Sequence, residues 1–248
     1  MSDELRLFGS RAIVTGASNG IGEAIVRTFV KQGAMVFAVD GPDSGIETHF
    51  KALKNVTPYA EMVADEQSAA EMVKRASEAL AGLDIVVNNS SLQASTPISD
   101  GDEAALEQFL KRKIQLYAAT TRVALPYLEK SPAGRIINTG CLRSAFSRTG
   151  NAAYARSEAA IAELTQSLAA EAGPNGTTVN YVQPGAIMTP ASRRIFAEDK
   201  ALRDYCIAQS AAKRLGDPVD IAKVVLFLAS DDAVFVSGTG FVIDGGSV

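Results

Sequence analysis

The stretch RAIVTGASNGIGEAIVRTFVKQG, residues 11–33, joins two periodicities through a glycine turn. RAIVT is a short apolar run and reads as a buried strand. From Ile21 the apolar residues recur at helical spacing, and Gly33 stands where a helix C-terminus favours glycine. Between them lies T-G-A-S-N-G-I-G, residues 15–22. This strand–turn–helix pattern suits a phosphate. Gly16 permits the tight turn, Gly20 lets the backbone approach a pyrophosphate, and Gly22 lets helix and strand pack closely. The helix N-terminus then offers free N–H groups and a partial positive charge. Ser18, Asn19 and Ile21 complete the turn as candidate contacts. No G-x-x-x-x-G-K-[ST] sequence is present, which argues against a nucleoside triphosphatase.

The next apolar run, AMVFAVD, ends in Asp40, about 20 residues beyond the last turn glycine. An acidic side chain there can accept hydrogen bonds from the adenosine ribose hydroxyls, and it repels a 2′-phosphate. No arginine or lysine follows it (Gly41-Pro42-Asp43), and Asn19 is neutral. The expected cofactor is therefore NAD rather than its phosphorylated counterpart.

Further on, strand-like and helix-like segments alternate. Helices are expected near 45–54 and over 66–82, 102–130, 151–173 and 217–230. Strands are expected near 56–63 and over 83–89, 134–140, 177–185 and 239–244. Residues 190–213 read as an irregular helical segment. Strands apolar on both faces, alternating with helices, imply a parallel sheet covered on both sides. The fold class is thus α/β, a Rossmann-like doubly wound parallel sheet of about seven strands with helices on both faces. No linker or repeat divides the chain, so residues 1–248 read as one dinucleotide-binding and catalytic domain.

Composition narrows the function. The chain of 248 residues is 47% hydrophobic and 21% charged, enough to bury a large core. A net charge of −4 argues against nucleic acid or an anionic membrane as partner. The opening MSDELRLFG has no apolar signal region, and runs such as VVLFLA are far too short to span a bilayer. Cys141 and Cys206 make no disulfide framework, so the expected setting is cytoplasmic. His49, the sole histidine, reads as a surface residue of IETHFKALK rather than a triad member, and no metal site is expected.

Taken together, TGASNGIG (15–22), the NN of NNSS (88–91), IINTG (136–140), Tyr154 in YARSEAA, QPGAIMTP (183–190) and VIDGG (242–246) resemble the short-chain dehydrogenase/reductase family along nearly the whole chain. The resemblance implies hydride transfer between a nicotinamide cofactor and a small-molecule secondary alcohol or ketone. It places Pro184, Gly185, Ile187 and Thr189 along the nicotinamide, Asn89 beside the cofactor, and Met62 where an aspartate often meets the adenine. It makes residues 190–213 the segment that covers the substrate, and it implies a homo-oligomer, dimer or tetramer.

The chain departs from the family where the chemistry is done. The family's asparagine, serine, tyrosine and lysine correspond to Lys113, Cys141, Tyr154 and Glu158, and Ser91 stands at a usual glycine. Tyr154 keeps the acid–base position. The lysine that lowers the tyrosine pKa and holds the nicotinamide ribose is replaced by Glu158. A carboxylate disfavours phenolate where an ammonium would favour it. One reading of the change is a relocated charge, in which Lys113 pairs with Glu158 and still biases Tyr154, while Glu158 accepts from the ribose hydroxyls. The other is a structural Lys113–Glu158 pair in a cleft no longer used for hydride transfer. The corresponding alternative function is a catalytically silent NAD(H)-binding sensor or partner subunit. Arg143, Arg148 and Arg156 near the cleft mouth read as solvated residues or, alternatively, as contacts for an acidic substrate.

Overall fold

The computed structural model describes residues 5–89, 103–140 and 151–246; of 103, 106 and 151–155 it describes the backbone. Seven parallel strands, β1 (Arg11–Thr15), β2 (Met35–Asp40), β3 (Val56–Ala60), β4 (Ile85–Asn88), β5 (Arg135–Thr139), β6 (Thr178–Pro184) and β7 (Gly240–Ile243), form one sheet in the order β3-β2-β1-β4-β5-β6-β7. The order reverses between β1 and β4, so the C-terminal ends of those two strands flank a crevice. Open α/β sheets bind ligands at such a switch point.

Helices α1 (Gly20–Lys31), α2 (Ile46–His49) and α8 (Pro218–Ala229) cover one face. Helices α3 (Glu66–Leu80), α4 (Glu103–Leu128) and α5 (Asn151–Ala172) cover the other. Successive strand side chains point to opposite faces. Ala12 and Val14 accordingly pack under the first layer and Ile13 under the second, and β2 divides in the same way. Pro58, which cannot donate to a ladder, sits in edge strand β3. Helices α6 (Pro190–Glu198) and α7 (Lys200–Gln209) follow β6, and Phe196, Leu202 and Cys206 pack against Ala186 and Met188.

The helix expected near 45–54 is corrected to the single turn of α2. Ile46 and Phe50 are both buried and anchor the arch between β2 and β3. The exposed Lys51 and Lys54 lie between that anchor and Val56, where the chain must already be extended. Tertiary anchoring overrides local helix preference here. His49 lies on this turn, with Nε2 2.9 Å from the Glu23 carboxylate.

At the opposite end of the sheet from the crevice, Asp84, just before β4, ties the start of β1 to the segment between α4 and β5. It accepts from Arg11 Nε (2.8 Å), Arg11 Nη2 (2.7 Å), Arg11 N (2.9 Å) and Ser131 Oγ (2.6 Å). Burial alone would raise the Asp84 carboxyl. The hydrogen bonds from Arg11 and Ser131, with the Arg11 charge, outweigh it and hold the group below its ordinary value. A depressed carboxyl stabilises the fold above its unfolded pKa of about 4, and the gain is lost as pH falls through the folded value. Asp84→Asn is therefore expected to destabilise the protein by about 3 kcal/mol at pH 7, with the gap to wild type narrowing below about pH 4. Denaturant unfolding at pH 7 and pH 3 checks this. A gap that does not change with pH would remove the ionised pair as its source.

Candidate active site

The phosphate turn forms because β1 stops at Thr15 and α1 starts at Gly20. Gly20 has φ +55°, and a Cβ there would lie 3.2 Å from Thr189 Cγ2, so the turn faces the segment that follows β6. A Cβ on Gly22 would fall 1.9 Å from the Gly16 carbonyl oxygen, which is the close helix–strand packing that requires glycine. Asn19 precedes α1 but gives it no side-chain cap; its amide donates instead to Ser18 Oγ at 3.3 Å. The first-turn N–H groups of α1 are thus left to other acceptors. Ile21, in that turn, is partly buried and packs on the α1–α8 core.

Asp40 is buried at the end of β2. Its Oδ2 accepts from Ser18 N (2.9 Å) and from the Ser18 hydroxyl, and its Oδ1 accepts from Gly41 N (2.9 Å). A carboxylate has about four lone-pair sites, so acceptor capacity remains. Met62 stands beside it: a Cβ on Gly41 would touch Met62 Cε at 3.2 Å. Across the crevice, Asn89 N donates to Thr15 Oγ1 (3.0 Å) and Asn89 Nδ2 donates to Gly16 O (3.1 Å). Asn89 therefore fixes the turn to the end of β4. Asn88 Nδ2 donates to Asn138 Oδ1 at 2.8 Å and ties β4 to β5.

At the end of β6, Pro184 and the following Gly185 are buried, and Gly185 N donates to Ile243 O at 2.9 Å. A Cβ on Gly185 would fall 2.5 Å from Asp244 Cβ, so the QPG and VIDGG motifs are packed backbone to backbone. Ile187 is 2% exposed and turns its side chain into the core, and a Cβ on Gly216 would lie 2.5 Å from its Cδ1. Thr189 caps α6, its Oγ1 accepting from Ser192 N at 3.1 Å. Its methyl group is what faces Gly20.

On α5, Tyr154 occupies the first turn and Glu158 the second. Glu158 stands one turn before Ile161, which with Thr165, Leu168 and Ala172 forms the row of α5 buried toward the sheet. The expected Lys113–Glu158 ion pair is corrected. Glu158 Oε1 is buried and has no hydrogen-bond partner, and Lys113 Nζ lies 5.5 Å above the Tyr117 ring. The physical reason is proximity on one helix: Tyr117 is one turn from Lys113, and an aromatic face attracts an ammonium. Arg156 pairs with Glu107 at 3.1 Å on the outer side of α4 and α5. Cys141, Ser91, Arg143 and Arg148 lie outside the described residues.

Sequence reasoning missed Tyr117. It is 1% exposed, and its hydroxyl donates to the Thr139 carbonyl at 3.2 Å, linking α4 to the end of β5. Its four-residue spacing from Lys113 was the available signal. Thr139 Oγ1 is buried without a partner. An uncapped helix N-terminus, a carboxylate with capacity to spare, and two orphaned oxygens on the β5–α5 side together fit a dinucleotide laid across the switch point.

Comparison with known proteins agrees with this geometry. The family model described as enoyl-(acyl carrier protein) reductase matches residues 16–247. The 3-oxoacyl-[acyl-carrier-protein] reductase FabG of Vibrio cholerae is 32% identical over 98% of both chains. The 2-(R)-hydroxypropyl-CoM dehydrogenase of Xanthobacter autotrophicus is 32% identical over 94% of this chain and 96% of its own. A crystal structure described as that of a proposed gluconate dehydrogenase from Agrobacterium tumefaciens superposes with a TM-score of 0.85 at 25% identity, covering 98% of each chain. With its strand order, its phosphate turn and these relatives, the chain belongs to the short-chain dehydrogenase/reductase family and is an oxidoreductase.

Proposed function

We propose that this oxidoreductase transfers hydride between NAD(H) and a small secondary alcohol or ketone, through an atypical site of Cys141, Tyr154, Glu158 and Lys113. The observation that carries the proposal is the phosphate turn joined to Asp40 through the Ser18 N–H and hydroxyl. Gly16, Ser18, Asn19, Gly20, Ile21 and Gly22 would hold the pyrophosphate, with Asp40 accepting from the adenosine ribose. Asn89 positions the turn. Pro184, Gly185, Ile187 and Thr189 would serve as the wall beyond β6, Ile187 through its backbone alone.

The bound nicotinamide supplies the hydride chemistry. Tyr154 moves the proton: it takes the alcohol proton as hydride leaves the carbinol carbon, and returns a proton to the oxygen in reduction. By the family resemblance, Cys141 takes the part of the serine that contacts the substrate oxygen. Lys113, unpaired with Glu158, keeps a positive charge on α4 beside Tyr117. Residues 190–213 cover the substrate, an assignment supported by their packing on Ala186 and Met188. We take residues 1–248 as one functional domain in a cytoplasmic homo-oligomer, dimer or tetramer. A groove of about 230 Å³ between α4 and α5, in which Leu110, Ile114 and Ala160 lie beside Lys111 and the Arg156–Glu107 pair, supports association through those helices.

Titration with NADH and NADPH, followed by nicotinamide fluorescence, tests the cofactor. NADH is expected to bind at least tenfold more tightly, and Asp40→Ala to narrow that ratio to near unity by removing the repulsion of a 2′-phosphate. Equal binding of both by the wild type would overturn the assignment of Asp40. Binding without turnover across a panel of alcohols and ketones would favour the silent sensor instead.

A further inference from the structure

Glu158 is the charged group of the site that the structure leaves without a partner. Its Oε1 is buried and unsatisfied. The Lys113 ammonium lies over the Tyr117 ring instead, and among the described residues no cation pairs with Glu158. Glu158 belongs to the α5 row that faces the sheet, and Thr139 Oγ1, at the end of β5, is likewise buried and unsatisfied. The topology says what belongs there. A dinucleotide crosses the sheet at the switch between β1 and β4. With its adenosine half on the Asp40 side, its other half would lie toward the ends of β4, β5 and β6; α5 follows β5 in the chain.

We infer that Glu158 makes the site discriminate between the two redox forms of the cofactor, in favour of the oxidised one. The oxidised nicotinamide ring carries a positive charge and the reduced ring is neutral. A carboxylate beside that nucleoside attracts the first and is nearly indifferent to the second. Hydrogen bonds from the ribose hydroxyls to the same carboxylate are common to both forms and cancel from the comparison. A unit charge pair across the width of a ribose, in a partly buried site, corresponds to a factor of about ten or more in affinity. The inference rests on NAD(H) being the cofactor. By the thermodynamic cycle the same preference shifts the equilibrium between the two bound redox forms toward the oxidised nucleotide by the same factor, so the carboxylate makes the bound nicotinamide a weaker hydride acceptor than the free cofactor.

Calorimetric titration of wild type, Glu158→Gln and Glu158→Lys with NAD+ and with NADH tests this. Glu158→Gln is expected to weaken NAD+ binding about tenfold and NADH binding by no more than about threefold. Glu158→Lys, which restores the family's residue, should move the ratio further in the same direction. Thermal melts without nucleotide establish that both variants fold. Equal losses for the two nucleotides, or a ratio that neither variant moves, would overturn the inference while leaving the NAD(H) assignment intact. Failure of the wild type to bind either nucleotide would remove that assignment and this inference with it.

Discussion

Tyr154→Phe is expected to lower turnover by about a thousandfold while NADH affinity changes by less than about threefold. Such a loss corresponds to about 4 kcal/mol of barrier. Phenylalanine keeps the ring and removes only the hydroxyl proposed to exchange a proton with the substrate oxygen, so chemistry and binding should separate. Steady-state kinetics on any accepted substrate, paired with nucleotide titration, check both halves. If turnover persists in Tyr154→Phe, the proton passes through another group, and Cys141 and Lys113 become the candidates.

Gly22→Ala should be the most damaging single methyl among the described glycines. The added carbon would fall 1.9 Å from the Gly16 carbonyl oxygen and 2.8 Å from Asn89 Nδ2. Neither neighbour is the free end of a flexible side chain. One is backbone, and the other is held by its own hydrogen bond to Gly16 O. Relief requires α1 to move off β1, which disturbs the helix N-terminus proposed to hold the pyrophosphate. A loss of about 4 kcal/mol is expected, or roughly 10 °C in Tm for a chain of this size, together with loss of nucleotide binding. Gly173→Ala, where an added carbon meets nothing within 4 Å, serves as the control and should be neutral or slightly stabilising. Calorimetric melting of the two variants decides the matter. A Gly22→Ala protein that melts with wild type would mean that α1 and β1 are not packed as described.

The sequence was most informative where one residue type has a single physical use. The three turn glycines, the apolar runs of β1, β2 and β4, and the long periodicities of α3, α4 and α5 each match an observed element. It was least informative where position depends on a partner distant in the chain. Phe50 ends the α2 arch because it reaches the core, and nothing in its neighbours states that. Thr189 reads as a nicotinamide contact, yet its hydroxyl caps α6 and its methyl group meets Gly20. The Lys113–Glu158 pair failed for a related reason. Opposite charges on two helices say nothing about the competing ring of Tyr117, four residues along the same helix. Spacing marks neighbours within a helix and is silent about distances between helices.

The backbone contact between Gly185 and Asp244 has a consequence for how the protein comes into being. Synthesis delivers the chain from its N-terminus, so the phosphate turn, Asp40 and Asn89 emerge early and can pair through β1, β2 and β4. The far wall of the crevice cannot settle until β7 arrives to hold the segment after β6 in place. Until β7 is made, the chain owns only the half of the crevice proposed to hold the part of the cofactor where no chemistry occurs.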